Sequence, residues 1–276
     1  MKSNFEFLNR YWPALAQIGE TAENYLYSDP NACIFKIGLF AERLVQEILV
    51  FERMAEPEVD NTHANRIRIL KRAGLLPHEI DNTLYLLRKT RNSAVHAGAD
   101  SVDEAKMLLS MTYNLAVWFM ETYGDWGYIA SDFVMPEEVV HPDFEALIAE
   151  QEKKIAELSK QLAEVTTTVS GTTQKERAKQ SEKVSSMMNW TEAQTRCLID
   201  EQLQKTGWEA DTKNLRYSKG TRPVKGRNIA IAEWPTDSAF YKNGYVDYAF
   251  FIGEKLVAVM DAKKVSEDVA STIDVQ

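Results

Sequence analysis

Gly244-Tyr245-Val246-Asp247-Tyr248-Ala249-Phe250-Phe251-Ile252-Gly253-Glu254-Lys255-Leu256-Val257-Ala258-Val259-Met260-Asp261-Ala262-Lys263 decides the class of the C-terminal third. Two runs rich in β-branched and aromatic residues, Tyr245–Phe251 and Leu256–Met260, flank Gly253-Glu254. A glycine-containing two-residue break between such runs predicts an antiparallel hairpin. A third strand-like run, Ile229–Trp234, lies upstream. Before it, Thr191-Glu192-Ala193-Gln194 has the capping-box form and opens a helix that should end at Gly207. Ser266–Gln276 reads as the opening of another helix. The order helix, strand, strand, strand, helix predicts an α/β domain over residues 189–276 that is incomplete at its C-terminus.

Outward from there the pattern changes twice. Residues 1–140 read as an all-α bundle, with apolar positions three and four apart. Asp29-Pro30 signals the start of a long helix to about Met54, and Ser101-Val102-Asp103-Glu104 starts another through Trp118 and Phe119. A short basic helix near Arg66–Ala73 and a longer one from Pro77 to about Ala97 lie between them. In residues 141–188, Ile148, Ile155, Leu162 and Val169 recur every seventh position, with Leu158 and Val165 filling the seam. That is a coiled-coil pattern, and it predicts a helical linker, a hairpin or stalk between two domains, able to self-associate. The chain as a whole is thus expected to be α+β.

The 276 residues carry a formal charge of −9. No run reaches the roughly 18 apolar residues of a bilayer span. The N-terminus, Met1-Lys2-Ser3-Asn4-Phe5-Glu6, lacks the apolar core of a secretory signal, and the two cysteines, Cys33 and Cys197, make no disulfide framework. A reduced, cytoplasmic protein with no membrane partner is expected. Residues 1–150 hold 13 basic and 23 acidic side chains. Against that background, Thr212–Ala232 holds six bases, Lys213, Arg216, Lys219, Arg222, Lys225 and Arg227, and no acid. Such a loop is either a footprint for phosphates or a solvated turn.

Chemistry concentrates around the hairpin. Asp261 and Lys263 are two apart and project to one face of a strand, and Asp247 lies on the strand that should pair with it. Two carboxylates suit Mg²⁺, which takes one or two of them and completes its shell with waters and phosphate oxygens. A lysine beside them can orient a water or offset developing negative charge. The plainer alternative is that these charges mark strand ends meeting solvent.

Asp247 followed by Asp261-Ala262-Lys263 resembles the PD-(D/E)xK nuclease signature. Thr191–Arg196, Gly207-Trp208-Glu209-Ala210-Asp211, Ile231-Ala232-Glu233-Trp234-Pro235 and Gly244–Tyr248 resemble the nuclease domain of type I restriction enzyme R subunits. Lys2–Leu8 and Ala116-Val117-Trp118 are similar to the N-terminal part of the same subunits, so the resemblance covers almost the whole chain. It implies a type I deoxyribonuclease subunit that cuts duplex DNA non-specifically with Mg²⁺. Asp247 and Asp261 would be metal ligands, Lys263 the catalytic lysine, Glu192 a supporting group, and the six bases from Lys213 to Arg227 the DNA contacts. Methylase and specificity subunits would be partners. ATP would act only through motor domains, and no G-x-x-x-x-G-K-[ST] loop occurs in these 276 residues. Asp261 stands where the family usually has Glu. The family continues into a Q-x-x-x-Y motif, of which Gln276 would be the first residue, so the nuclease sheet is expected to be unfinished and weakly active or inactive alone.

Arg91-Asn92-Ser93-Ala94-Val95-His96 resembles the R-x(4–6)-H motif of HEPN domains, and the helical region is similar to the HEPN-like module ahead of some R subunits. This implies an alternative site at Arg91 and His96, cutting RNA without metal. A structural alternative pairs Arg91 with a nearby acid such as Glu104. A third reading is a docking module with an inert nuclease remnant.

Overall fold

The computed structural model describes residues 2–55, 60–97, 101–138, 153–154, 172–188, 190–236 and 244–262. It divides into two compact units, Met1–Met188 and Asn189–Gln276. Lys263, the predicted coiled-coil seam positions Ile148, Ile155, Leu158, Leu162, Val165 and Val169, and the side chain of His96 lie outside the described residues.

The first unit is helical. After a 3-10 turn at Glu6–Arg10 come α1 (Pro13–Tyr25), α2 (Pro30–Phe51), α3 (His63–Arg72), α4 (His78–Ala97) and α5 (Val102–Phe119). The last runs into a π-helical turn at Met120–Gly124. The start signals act as expected. Asp29 Oδ1 accepts from Ala32 N at 2.9 Å, and the Ser101 hydroxyl accepts from Glu104 N at 3.2 Å, so each meets an amide that the helix itself leaves unpaired. α2 is the hub, because it is apolar nearly all round: Ile34, Ile37, Phe40, Leu44 and Ile48 are fully buried, against α1 and α3 to α5. Gly19 in α1 is needed for close approach, since a Cβ there would lie 2.3 Å from the Phe5 ring.

The polar segment after the predicted seam forms a helix, α6 (Gln174–Ser186), with a full capping box between Thr173 and Glu176. It packs on the bundle rather than standing free as a stalk. Buried Trp118 donates its indole N–H to Ser181 Oγ at 3.2 Å, and Ser181 in turn reaches the carbonyl of Leu75 at 3.3 Å. Arg177 grips Glu52 with two parallel bonds, Nε to Oε1 at 2.7 Å and Nη2 to Oε2 at 2.6 Å, with both side chains almost completely buried.

The second unit opens with α7 (Glu192–Lys205), whose capping box joins Thr191 and Gln194. A four-stranded sheet follows in the order β1 (Glu209–Ala210), β2 (Asn228–Pro235), β3 (Tyr245–Ile252) and β4 (Lys255–Met260). β1 runs parallel to β2, and the other neighbours are antiparallel. The hairpin is as predicted: Ile252 pairs with Lys255 across Gly253-Glu254, with Gly253 at φ +61°. The two-residue β1 is too short for periodicity to reveal. One sheet face buries Ala210, Ala230, Tyr248 and Phe250 with Ile199, Leu203 and Trp208 packed against them. The other buries Ile229, Ile231 and Phe251 with Leu215, Tyr217 and Trp234. Among the described residues, no helix is long and apolar enough to cross a membrane. The fold is α+β.

Removing one partner of a buried ion pair strands the other charge, which typically costs about 3–5 kcal/mol. Arg177→Ala should therefore destabilise the helical unit by that order in urea denaturation. Replacing Arg177 and Glu52 together by apolar residues should recover much of the loss.

Candidate functional site

The site is built where α7 meets β3 and the end of β4. α7 is held by Asp200, whose carboxylate accepts from Thr212 N at 2.7 Å, Thr212 Oγ1 at 2.9 Å and Tyr248 Oη at 3.1 Å. Burial pushes the Asp200 carboxyl above its ordinary range against the lowering effect of these donors, and burial also raises the Tyr248 phenol. One turn earlier on the same helix stands Arg196, an arginine that the motif reading passed over.

Arg196 is the centre of the charge arrangement. Its Nη2 lies 2.8 Å from Asp247 Oδ1 and 2.8 Å from Glu192 Oε1, and its Nη1 lies 3.3 Å from Glu233 Oε1. Burial opposes its charge, but Asp247, Glu192 and Glu233 outweigh that and hold the guanidinium pKa above normal. Arg216 joins from the basic loop, 2.9 Å from Glu233 Oε1. Asp247 and Asp261 face each other across the β3–β4 ladder, one pair beyond Tyr248 and Met260. Asp261 Oδ1 accepts from Asp247 N at 3.3 Å, and Asp247 Oδ2 accepts from Ala262 N at 2.7 Å. The expected juxtaposition of Glu192, Asp247 and Asp261 is thus present, with Lys263 two residues further along the chain.

Glu233 is the second residue that the motif reading missed. It occupies β2 at φ +52°, a left-handed conformation rare for a residue with a Cβ, between Ala232 and Trp234, which pair with Tyr248 and Val246 of β3. Backbone strain of this kind gathers at functional sites. The sequence signals were its place in the stretch Ile231–Pro235 and an acid inside an otherwise apolar strand.

The carboxylates fit a hard cation in chemistry, since all are oxygen donors and two come from adjacent strands. They do not form a closed cage: among the described residues, no group of three or more His, Cys, Asp or Glu converges as a metal site. One oxygen of Asp247 is engaged by Arg196.

The six bases of the loop divide. Arg216 is tied to Glu233 and to the carbonyl of Thr212. Arg222 lies 3.7 Å over the Tyr217 ring and donates to the Tyr217 and Thr221 carbonyls. Arg227 pairs with Glu209 through Nε at 2.9 Å. Lys213, Lys219 and Lys225 are exposed. In the helical unit, Arg91 pairs with Glu42 at 3.6 Å rather than with Glu104, and its guanidinium stacks 5.2 Å from the Phe35 centroid.

Residues 20–161 match a domain of unknown function, DUF4145, and residues 209–276 match the second domain of the type I restriction enzyme EcoKI endonuclease subunit. The type I restriction enzyme EcoKI endonuclease subunit of Escherichia coli (strain K12) is 30% identical over 325 aligned positions, which cover 99% of this chain. Over nearly its whole length the chain is therefore similar to a type I restriction enzyme endonuclease subunit. Its helical part belongs to the DUF4145 family. The chain spans 28% of the length of the Escherichia coli relative. No solved structure matches it. The second-domain match begins at β1 and takes in β2, Glu233, Asp247 and Asp261, while Glu192 and Arg196 lie just before it.

Glycine tolerates positive φ where alanine is strained by roughly 1–2 kcal/mol. Glu233→Gly should therefore be more stable than Glu233→Ala by about 1 kcal/mol in thermal melts, although both lose the same carboxylate.

Proposed function

We propose that the second unit is the DNA-cutting centre of a type I restriction enzyme endonuclease subunit, with Asp247 and Asp261 holding Mg²⁺ and Lys263 serving as the catalytic lysine. The reading is carried by the opposition of Asp247 and Asp261 across the hairpin, in a chain similar to a restriction endonuclease subunit. When bound, the ion would supply Lewis-acid stabilisation of the phosphodiester and a more acidic water. Main-chain amides of Asp247 and Ala262 hold one oxygen each of Asp261 and Asp247, which fixes the carboxylates before any ligand arrives. Arg196 keeps Glu192, Glu233 and Asp247 together despite their like charge, and Glu192 supports the site from the helix. Lys263 would offset charge on the phosphoryl group.

DNA would be met first by the exposed Lys213, Lys219 and Lys225, whose charge is positioned for phosphates in any sequence. Arg216, Arg222 and Arg227 shape the loop that carries them. The substrate is duplex DNA, cut without sequence preference, with sequence reading left to specificity and methylase subunits and ATP-driven movement left to motor domains. The HEPN-type module at Arg91 and His96 is read as a docking element of that assembly rather than a ribonuclease.

In the complete subunit assembled with its partners, Asp261→Ala and Lys263→Ala should each reduce DNA cleavage by roughly a hundredfold or more and leave ATP hydrolysis intact. Circular dichroism would confirm folding. Loss of both activities in a folded variant would overturn the assignment, as would full cleavage by Asp261→Ala.

A further inference from the structure

Both carboxylate oxygens of Asp247 are engaged. Oδ2 accepts from Ala262 N at 2.7 Å, and Oδ1 lies 2.8 Å from Arg196 Nη2. The two contacts differ in kind. A carboxylate oxygen carries two lone pairs, so a neutral amide can share one with a metal ion. A guanidinium bears a full charge, and a second cation on the same oxygen is repelled at that range. The pair is also poorly screened, because the Arg196 side chain is 13% exposed and that of Asp247 26%. Asp247 therefore reaches its full strength as a metal ligand only when Arg196 releases Oδ1.

The surroundings allow that release. Arg196 Nη2 also lies 2.8 Å from Glu192 Oε1, one turn earlier on α7, and Nη1 lies 3.3 Å from Glu233 Oε1 on β2. Its Nε is buried without a hydrogen-bond partner among the described residues, so acids hold the guanidinium through its terminal nitrogens. A buried charge stripped of every partner is strongly destabilised, whereas one that keeps two carboxylates is not. Both ends of the contact are also steadied from elsewhere. Glu233 is met on its other side by Arg216 at 2.9 Å, and Asp247 keeps the Ala262 amide. Neither acid depends on Arg196 alone for its place.

We propose that Arg196 is a positioning residue that competes with a divalent cation for Asp247 Oδ1. It holds Asp247 in place, and it yields that oxygen, keeping Glu192 and Glu233, when the cation binds. The inference rests on the reading of Asp247 and Asp261 as metal ligands, and it adds a control on how tightly they bind. An arginine with a merely structural role behaves in the opposite way, because its removal disorders the carboxylates and weakens the metal site.

The test is Mn²⁺ binding to the whole 276-residue chain, followed by loss of the free-ion electron paramagnetic resonance signal. Arg196→Gln should bind Mn²⁺ about tenfold more tightly than the parent, the scale on which an adjacent arginine alters the affinity of a carboxylate for a proton. The same variant should melt at a lower temperature in EDTA, because three acids lose their shared partner. Asp247→Asn should abolish the binding in both backgrounds. In the parent, Mg²⁺ should shift the Arg196 side-chain nitrogen resonances in step with its binding curve, a readout that decides the matter even where Arg196→Gln does not fold. Unchanged or weaker Mn²⁺ binding by folded Arg196→Gln overturns the inference and leaves the metal reading standing, as do Arg196 resonances that ignore bound Mg²⁺. Absence of Asp247-dependent binding in both the parent and Arg196→Gln overturns the metal reading and this inference with it.

Discussion

The buried carboxylate of Asp200 is the constraint on which the second unit depends. An acid is ordinarily excluded from the interface between a helix and a sheet, and this one is retained because three donors meet it. Those donors come from the segment after β1 and from β3, so a single group fixes α7 to two parts of the sheet at once. Helical spacing then does the rest. Arg196 and Glu192 lie one and two turns before Asp200 and are carried to the end of the hairpin, where Asp247 waits. The candidate site is a consequence of this anchoring and not an independent assembly.

The first unit solves the same problem with a different device. Its α6 has little apolar surface to offer, and hydrophobic burial alone would not hold it. It is held by polar contacts made in dry surroundings: Arg177 on Glu52, and Ser181 between the Trp118 indole and the Leu75 carbonyl. Such contacts are directional, so they specify one docking register of the helix, whereas an apolar stripe would tolerate sliding.

Most of the fold could be read in the sequence because its signals are local. The caps at Asp29, Ser101 and Thr191, the three strand runs and the Gly253-Glu254 turn all act within a few residues. That the segment of α6 is helical was expected, but its docking on the bundle escaped, because its buried face is made of Arg177, Ser181, Val184 and Ser185, which a search for apolar periodicity does not see. At the candidate site, Asp247 and Asp261 were legible through strand pairing. Arg196 and Glu233 were not, because their roles arise from a helix crossing a sheet and from a left-handed residue inside a strand. The loop bases were visible as a composition, but the division between tethered arginines and exposed lysines needed coordinates.

The two thiols also differ in a way the fold dictates. Cys33 is fully buried in α2 at the centre of the helical unit, and desolvation holds its thiol protonated well beyond the ordinary range. Cys197 lies half-buried on α7 in the second unit. Thiolate is the reactive species, so alkylation of Cys33 must wait for the bundle to open, while Cys197 answers to smaller openings of its helix. The protein therefore carries one native chemical reporter in each unit, and the rates at which the two cysteines are labelled measure the local unfolding of each without any introduced probe.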